Sequence, residues 1–548
     1  VTGLVNVAGI LDRRISGFEQ QLAASQKGKS KAKSNASERD LAEANDFREQ
    51  CDHLINDLLD ITFAHRYRDV DPRIRMECVE ALGHWILALP NVFMQPNHLR
   101  YLGWMLSDVV SSTRAEVLRQ LHAILKDNAG QLGHFIERFQ SRLVEMATKD
   151  VDVSVRVAAV RVVDILRNAG LLDPVQVDTI GRLVFDSEVR VRKAAAPFFD
   201  ACVTDLIDSK AQDFGGIDNV QEVLPEGDDE DFDSPREEWL SIKSLAELLA
   251  AYDAAVEDEQ GDPEAPELMT AIDVFQAATP ATRIAVAAQA LYEKMTIIED
   301  WQLIAGYLLH DHTISAKGKS KAAARSQETL IKKAVAPDAS EEAILLEVMT
   351  AAVTLALTQT HDADRSRKKT GRVDAAEAQD ETALALAALV PRLLSKFGAD
   401  PTTAKIILRM EHLLKPGVFQ RLRQDTSRYE TLLSEVTQQF SRHDDKTVLA
   451  EAAASLSHAR QHEDLEELVD GKISVLWENN INALRNFDKT CDLSERGNLS
   501  EEHLQDLSGI MAKLASLASI SDCVDIMEVY GRSSDSERPV IDILVNLM

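Results

Sequence analysis

Few groupings in this sequence could do covalent chemistry, and each lacks a necessary partner. Gly28-Lys29-Ser30 and Gly318-Lys319-Ser320 carry the glycine, lysine and hydroxyl that close a phosphate-binding loop. Such a loop needs a further glycine five residues upstream, so that backbone amides can wrap the phosphates, and a buried strand leading into it. Ala23 and Thr313 stand at those positions and no strand pattern precedes either, so nucleotide binding of that kind is rejected. His310-Asp311-His312 is the one tight His/carboxylate cluster. Without a third spaced ligand it reads as a polar helix end, and no metal or cofactor is expected. Cys51, Cys78, Cys202, Cys491 and Cys523 are scattered, with no CxxC or Cys/His spacing, which fits a reducing compartment. No Gly-x-Ser-x-Gly elbow occurs, no cysteine has a positioned base, and carboxylates are spread too evenly to single out an acid–base pair. No catalytic residue is expected, and the chain does not read as an enzyme.

What the sequence does concentrate is positive charge, in three short runs. Lys27, Lys29, Lys31 and Lys33 form the first; Lys317, Lys319, Lys321 and Arg325 the second; Arg365, Arg367, Lys368, Lys369 and Arg372 the third. They stand out because the whole is acidic, with 60 Lys and Arg against 90 Asp and Glu and a formal net charge of -30. That balance argues against a surface that grips nucleic acid everywhere. Much of the excess acid sits in the segments Glu226 to Asp233 and Glu257 to Glu267, which leaves the folded body less acidic than the total. Read singly, each basic run is also explained as a solvated loop. The expectation is that at least one neutralises phosphates of double-stranded DNA, giving salt-dependent binding without sequence preference, since no base-reading motif accompanies it. Arg66 and Arg68 are alternative contacts that could equally serve the fold.

The elements that must position these residues are helices. Apolar residues recur at i, i+3, i+4 and i+7 along most of the chain, while strand-like alternation is hard to find. A register organises the first part: Asp69 precedes Arg75 by six residues, and the offset recurs at Asp108/Arg114, Asp150/Arg156 and Asp186/Arg192. After each Arg, positions +3, +4 and +7 are apolar: Cys78, Val79, Leu82; Val117, Leu118, Leu121; Ala159, Val160, Val163; Ala195, Ala196, Phe199. Each unit therefore supplies an inward-facing second helix. The Asp is expected to cap that helix and its turn, and the Arg to pair with an Asp of the same or the adjacent repeat as a polar ladder. Helical pairs that bury a face only against their neighbours make an all-α superhelical solenoid with long surfaces for extended partners. The expected divisions are a projecting antiparallel helical hairpin over 1–64, repeats over 65–205, an acidic linker or insertion with a short helix over 206–267, and degenerate repeats over 268–548 with loop insertions near 313–338 and 360–379. The longest clean apolar stretch, Val348 to Leu357, is far short of the roughly 20 residues of a membrane span, so no membrane partner is expected. Val1 stands where an initiator Met would be and already opens a helical pattern, so the sequence reads as a cut chain whose lack of targeting signals carries no weight.

The Asp/Arg repeats resemble HEAT repeats. More specific wording follows in His65-Arg66-Tyr67-Arg68-Asp69, Glu80-Ala81-Leu82-Gly83-His84-Trp85 and Leu99-Arg100-Tyr101-Leu102-Gly103-Trp104, which resembles the stromalin conservative domain. Asp300-Trp301, Ser340-Glu341-Glu342 and the Leu-Leu-Ser-Lys-Phe ending at Phe397 are also similar to stromalins. The resemblance implies a hook-shaped accessory subunit of cohesin, located in the nucleus on chromatin. It implies binding to the kleisin subunit and to DNA, contact with cohesin loading and release factors, and recruitment of regulators through Phe- or Tyr-containing peptides. The peptide-binding surface that it implies falls on Tyr67, Arg100, Trp104 and Arg138, with Phe139 nearby. Trp104 would form an aromatic wall, while Arg100 and Arg138 would pair with acidic groups or carbonyls. Pro96 stands where the family leads one to expect an acidic residue, and Arg100 where Lys is usual, which puts peptide specificity in question. On spacing alone Trp85 and Trp104 both suit a core, and only the resemblance singles out Trp104. A transport or phosphatase-scaffold solenoid without DNA binding is the alternative, one that explains the repeats and the acidity but not this wording.

Overall fold

The computed structural model describes residues 1–26, 31–224, 235–260, 282–312, 327–366, 371–414, 426–491, 500–528 and 539–547. Every regular element among the described residues is helical. The chain divides into two compact units, Val1–Cys202 and Val203–Met548.

The first unit opens with α1 (Thr2–Gln26) and α2 (Lys31–Leu58), packed against each other as an antiparallel hairpin. Arg48 of α2 reaches Asp12 of α1 at 2.6 Å and also pairs with Asp52. The end of α2 widens into a π-helical turn, Leu59–Phe63, which keeps Leu59 and Phe63 buried. Seven longer helices follow: α3 (Pro72–Ala88), α4 (Pro96–Met105), α5 (Ser111–Asn128), α6 (Gly133–Lys149), α7 (Val153–Asn168), α8 (Pro174–Gly181) and α9 (Val189–Asp213). They form two layers, α3, α5 and α7 stacking in one and α4, α6 and α8 in the other. Local sequence sets the starts. Asp71 caps α3 by accepting the Arg73 N–H, with Pro72 in the first helical position, and Asp173 with Gln176 forms a capping box on α8 behind Pro174. The end of α7 is closed by Gly170 at φ +68°, where the Leu171 N–H reaches back to the Leu166 carbonyl at 2.9 Å.

The inward positions expected of the repeats are buried throughout, except Cys78, which is half-buried. Close approach of α3 and α5 depends on Gly83, where a Cβ would lie 2.1 Å from the side chain of buried Gln120.

The polar ladder is regular, and its geometry corrects the expected caps. Asp69, Asp108, Asp150 and Asp186 each accept the backbone N–H two residues ahead, at 2.8–3.0 Å, so they shape the turn before the helix and are not its caps. The cap itself falls to Asp71 and Asp152 in two of the repeats. The first three Args each reach the Asp of the following repeat: Arg75 to Asp108 at 2.7 and 2.8 Å, Arg114 to Asp150 at 2.8 and 2.6 Å, and Arg156 to Asp186. Arg75 and Arg114 also donate to the carbonyl of their own repeat's Asp. Arg192 keeps that backbone contact, at 2.6 Å, but meets no carboxylate among the described residues.

In the second unit the main helices are α10 (Glu238–Gln260), α11 (Arg283–Leu291), α12 (Trp301–Leu309), α13 (Ala339–Ser366), α14 (Gly371–Phe397), α15 (Pro401–Glu411), α16 (Thr426–Arg442), α17 (Lys446–Arg460), α18 (Glu463–Cys491), α19 (Glu501–Ala518) and α20 (Val540–Leu547). Here α10, α11 and α12 pack on α13, α14 on α16, α15 on α17, and α18 on α19. Individual buried networks replace the ladder. Lys243 meets Glu341 at 2.6 Å while Glu341 and Asp338 form a reciprocal capping pair. Fully buried Glu411 accepts from the Tyr429 hydroxyl at 2.6 Å and contacts His458 at 3.2 Å. Burial pushes the Tyr429 hydroxyl, already beside that carboxylate, well above its ordinary range. Within the segments expected as insertions, α10 continues to Gln260, α13 to Ser366, and shorter helices occupy Ile217–Val223 and Gln327–Ala334.

Candidate functional site

The residues singled out around Trp104 meet on one face of the first unit. Helix α4 presents Arg100, Tyr101 and Trp104 within one turn, and the segment between α2 and α3 brings Tyr67 and Arg68 beside them. Trp104 is 38 % exposed. Guanidiniums flank it: the Arg68 and Arg100 carbons each lie 5.4 Å from its ring centre. Tyr67 lies 6.2 Å from Trp104 and nearly parallel to it, and Tyr101 sits edge-on at 5.6 Å. Behind them Phe63 contacts Tyr67, Tyr101 and Trp85, joining the face to the core.

Two placements differ from expectation. Tyr67 is only 6 % exposed, so its ring is the floor under Trp104 and not an accessible contact. Arg68, expected either as an alternative DNA contact or as a residue serving the fold, is part of the Trp104 stack. Arg66 instead pairs with the ladder carboxylate Asp69 at 2.7 Å. Tyr101 was not singled out either, although its place beside Arg100 in a helix carrying Trp104 three residues on is the signal that could have found it. Trp85 is core, with its Nε1 donating to Thr2 Oγ1 at 3.0 Å.

Arg138 and Phe139 lie on the neighbouring helix α6. Arg138 is exposed, its guanidinium carbon 5.5 Å from the Phe139 ring centre. Phe139 seats on Gly103, where an added Cβ would lie 2.2 Å from the ring, so the absence of a side chain at 103 is what joins the two helices here. Chemically the face offers flat aromatic surface bordered by planar cations. That suits an aromatic side chain followed by carboxylates or exposed carbonyls. The hydroxyls among these contacts are the phenols of Tyr67 and Tyr101, and the contacts include no thiol or imidazole.

The other candidates are placed as follows. Lys27, Lys29, Lys317, Lys319, Lys321, Arg325, Arg367, Lys368 and Lys369 lie outside the described residues. Lys31 and Lys33 fall on α2, but their side chains are outside the description. His310 ends α12, and His312 turns back to the Tyr307 carbonyl at 2.9 Å, both imidazoles packing against Trp239. Burial lowers the His312 pKa to about 4, which keeps it neutral. No group of three or more potential metal ligands occurs among the described residues, and no described helix is long and apolar enough to cross a membrane.

Comparison with known proteins bears on the family and the fold. The stromalin conservative domain model matches residues 68–140, which hold most of the aromatic face, and the model for the HEAT-repeats domain of cohesin subunit SCC3/SA matches residues 289–538. The chain belongs to the stromalin family. Cohesin subunit psc3 of Schizosaccharomyces pombe is 30% identical over 267 residues, covering 48% of this chain and 26% of that relative. Sister-chromatid cohesion protein 3 of Arabidopsis thaliana is 35% identical over 160 residues, covering 29% of this chain and 14% of that one. The matches thus span about a quarter or less of these relatives' own length. Among solved structures, the cohesin subunit Scc3 of Z. rouxii superposes with a TM-score of 0.67 at 20% identity, covering 100% of this chain and 56% of that chain. The stromalin chain therefore shares the all-helical HEAT-repeat fold of Scc3.

Proposed function

We propose that this stromalin chain works as a binding scaffold of cohesin in the nucleus. It holds the kleisin subunit along the repeats, contacts double-stranded DNA through its basic runs, and recruits regulators through the face around Trp104. The observation that carries the reading is the half-exposed Trp104 between Arg68 and Arg100, lying within the match to the conservative domain. An indole with cations at its border offers an inserted Phe or Tyr ring a large flat contact and pairs the acidic residues around it. Such anchors dominate affinity when they sit at the centre of an interface.

The test is calorimetry with a Phe-containing acidic peptide and, separately, with a kleisin fragment. Trp104→Ala is expected to weaken the peptide by at least tenfold with kleisin affinity unchanged. Equal peptide affinity in wild type and variant would remove Trp104 from the reading, and a kleisin fragment that does not bind would remove the scaffold role.

A further inference from the structure

The N-terminal hairpin carries an apolar face that is left uncovered among the described residues of the first unit. On α2, Phe47, Leu54 and Leu58 recur at intervals of seven and four residues and are 51 %, 50 % and 36 % exposed, and Ile61, in the π-helical turn, is 71 % exposed. On α1, Val7 and Ile10 are 47 % and 51 % exposed. At about 100° per residue, Phe47, Leu54 and Leu58 lie roughly 40–80° from the buried line of α2, and Val7 and Ile10 lie roughly 130–170° from that of α1, on its outer side. Those buried lines are Val5 and Ala8 on α1, and Ala44, Cys51 and Ile55 on α2. The Arg48–Asp12 pair fixes the register and brings Val7 and Ile10 level with the stretch from Phe47 to Leu54. Helix α1 meets α3 through a different side, at Thr2 and Gly9.

Carboxylates outnumber cations around this stripe, where Arg39 is the exposed cation among the described side chains of α2, four residues before Glu43. Glu43, Asp46 and Asp57 are exposed along its outer flank, and among the described residues none pairs with a cation; Asp46 meets only the Gln50 amide. Arg48 is turned inward and held by Asp12 and Asp52. Exposed Arg13 and Arg14 lie beyond Ile10, toward the tip. A contiguous apolar stripe in heptad-like spacing receives the apolar face of another helix, and uncompensated carboxylates on its border favour cations there while repelling DNA and anionic membranes.

We propose that this acid-bordered stripe on the α1–α2 hairpin is a docking face for a basic amphipathic helix of a partner protein. It shares no residue with the Trp104 face, so either assignment can fail without the other.

The probe is an 18-residue helical peptide with leucines at i, i+3, i+4 and i+7 and lysines on both borders, labelled for anisotropy with the full chain. A scrambled peptide and a glutamate-for-lysine counterpart are the controls. The basic helix is expected to bind at least tenfold more tightly than either control, more tightly still as salt falls. Leu54→Ser with Leu58→Ser is expected to cost tenfold or more while Trp104→Ala costs nothing, with helicity checked by circular dichroism. Glu43→Lys with Asp57→Lys, which leaves the core untouched, should shift preference toward the glutamate peptide. Equal binding of the scrambled peptide, or indifference to both double variants, would overturn the proposal. So would a concentration-dependent dimer in light scattering that Leu54→Ser abolishes, because the face would then belong to a second copy.

Discussion

Trp104 is kept half in water by what lies on its faces. Arg68 and Arg100 each approach its ring at 5.4 Å, and stacked cations of this kind contribute about 0.5–1 kcal/mol apiece at exposed sites. They fix the indole without burying it, so its accessible surface stays in one orientation for a ligand. Trp85 is the same residue in the opposite situation, 4 % exposed and hydrogen-bonded to Thr2 of α1. Trp85→Ala is therefore expected to destabilise the first unit by ~3–5 kcal/mol, as for a core aromatic. Trp104→Ala should cost ~1–2 kcal/mol, in proportion to its smaller buried area. Urea unfolding followed by circular dichroism compares them, and a larger loss at 104 than at 85 would show that the stack is a structural core and not a binding face. The different fates of these tryptophans could not be read from spacing. Trp85 is covered by a residue far away in sequence, and Tyr67 is buried by rings of α4, neither of which a helical period reveals.

At the scale of elements, the repeat register was legible because the physics behind it is local and repeated. An Asp that shapes the turn, an Arg six residues on and an apolar face behind it form a pattern that survives any change in curvature. Which partner each Arg takes was left open between same and adjacent repeat, since the choice rests on how the pairs stack. The structure makes it the adjacent one, so each rung ties two repeats together. Asp108 is 6 % exposed and Arg75 11 %. Burial alone would raise the Asp108 pKa, but hydrogen bonds from Arg75 and the Val110 N–H outweigh it and hold the carboxyl below its ordinary value. A carboxyl depressed in the fold lends its full stabilisation above the ordinary Asp value of about 3.9 and loses it as pH falls through the folded value. Arg75→Met is thus expected to cost about 1–3 kcal/mol at pH 7, less than the ~3–5 kcal/mol of a fully enclosed pair because the rung lies near the solvent edge. The gap between variant and wild type should narrow as pH drops below the ordinary Asp value. Melting temperatures from pH 7 down to pH 3 test this. A gap that stays constant would mean that the rung acts through the packing of the Arg stem and not through its charge.

For the whole molecule the governing quantity is charge, and here position matters more than sum. At -30 overall, the chain repels a polyanion unless local runs of cations dominate where contact is made. Those runs were legible as sequence, but where they point was not, because Lys/Gly/Ser-rich segments carry no apolar period that would fix them against the helices. Salt dependence supplies what the pattern cannot. Each phosphate neutralised on duplex DNA changes the slope of log affinity against log salt by about 0.9. If the first run meets the backbone, replacing Lys27, Lys29, Lys31 and Lys33 together by alanine should flatten that slope by about 3–4 in anisotropy titrations. The fold is expected to be untouched, since no large apolar residue lies between Lys27 and Lys33. The same replacement would take the net charge from -30 to -34, and a purely long-range effect of that change would fade above about 0.1 M salt as screening sets in, whereas lost phosphate contacts flatten the slope across the whole titration. The slope, more than the affinity, therefore separates direct phosphate contact from general repulsion. An unaltered slope would take the first run out of the interface and leave the runs at 317–325 and 365–372 as the places for the same experiment.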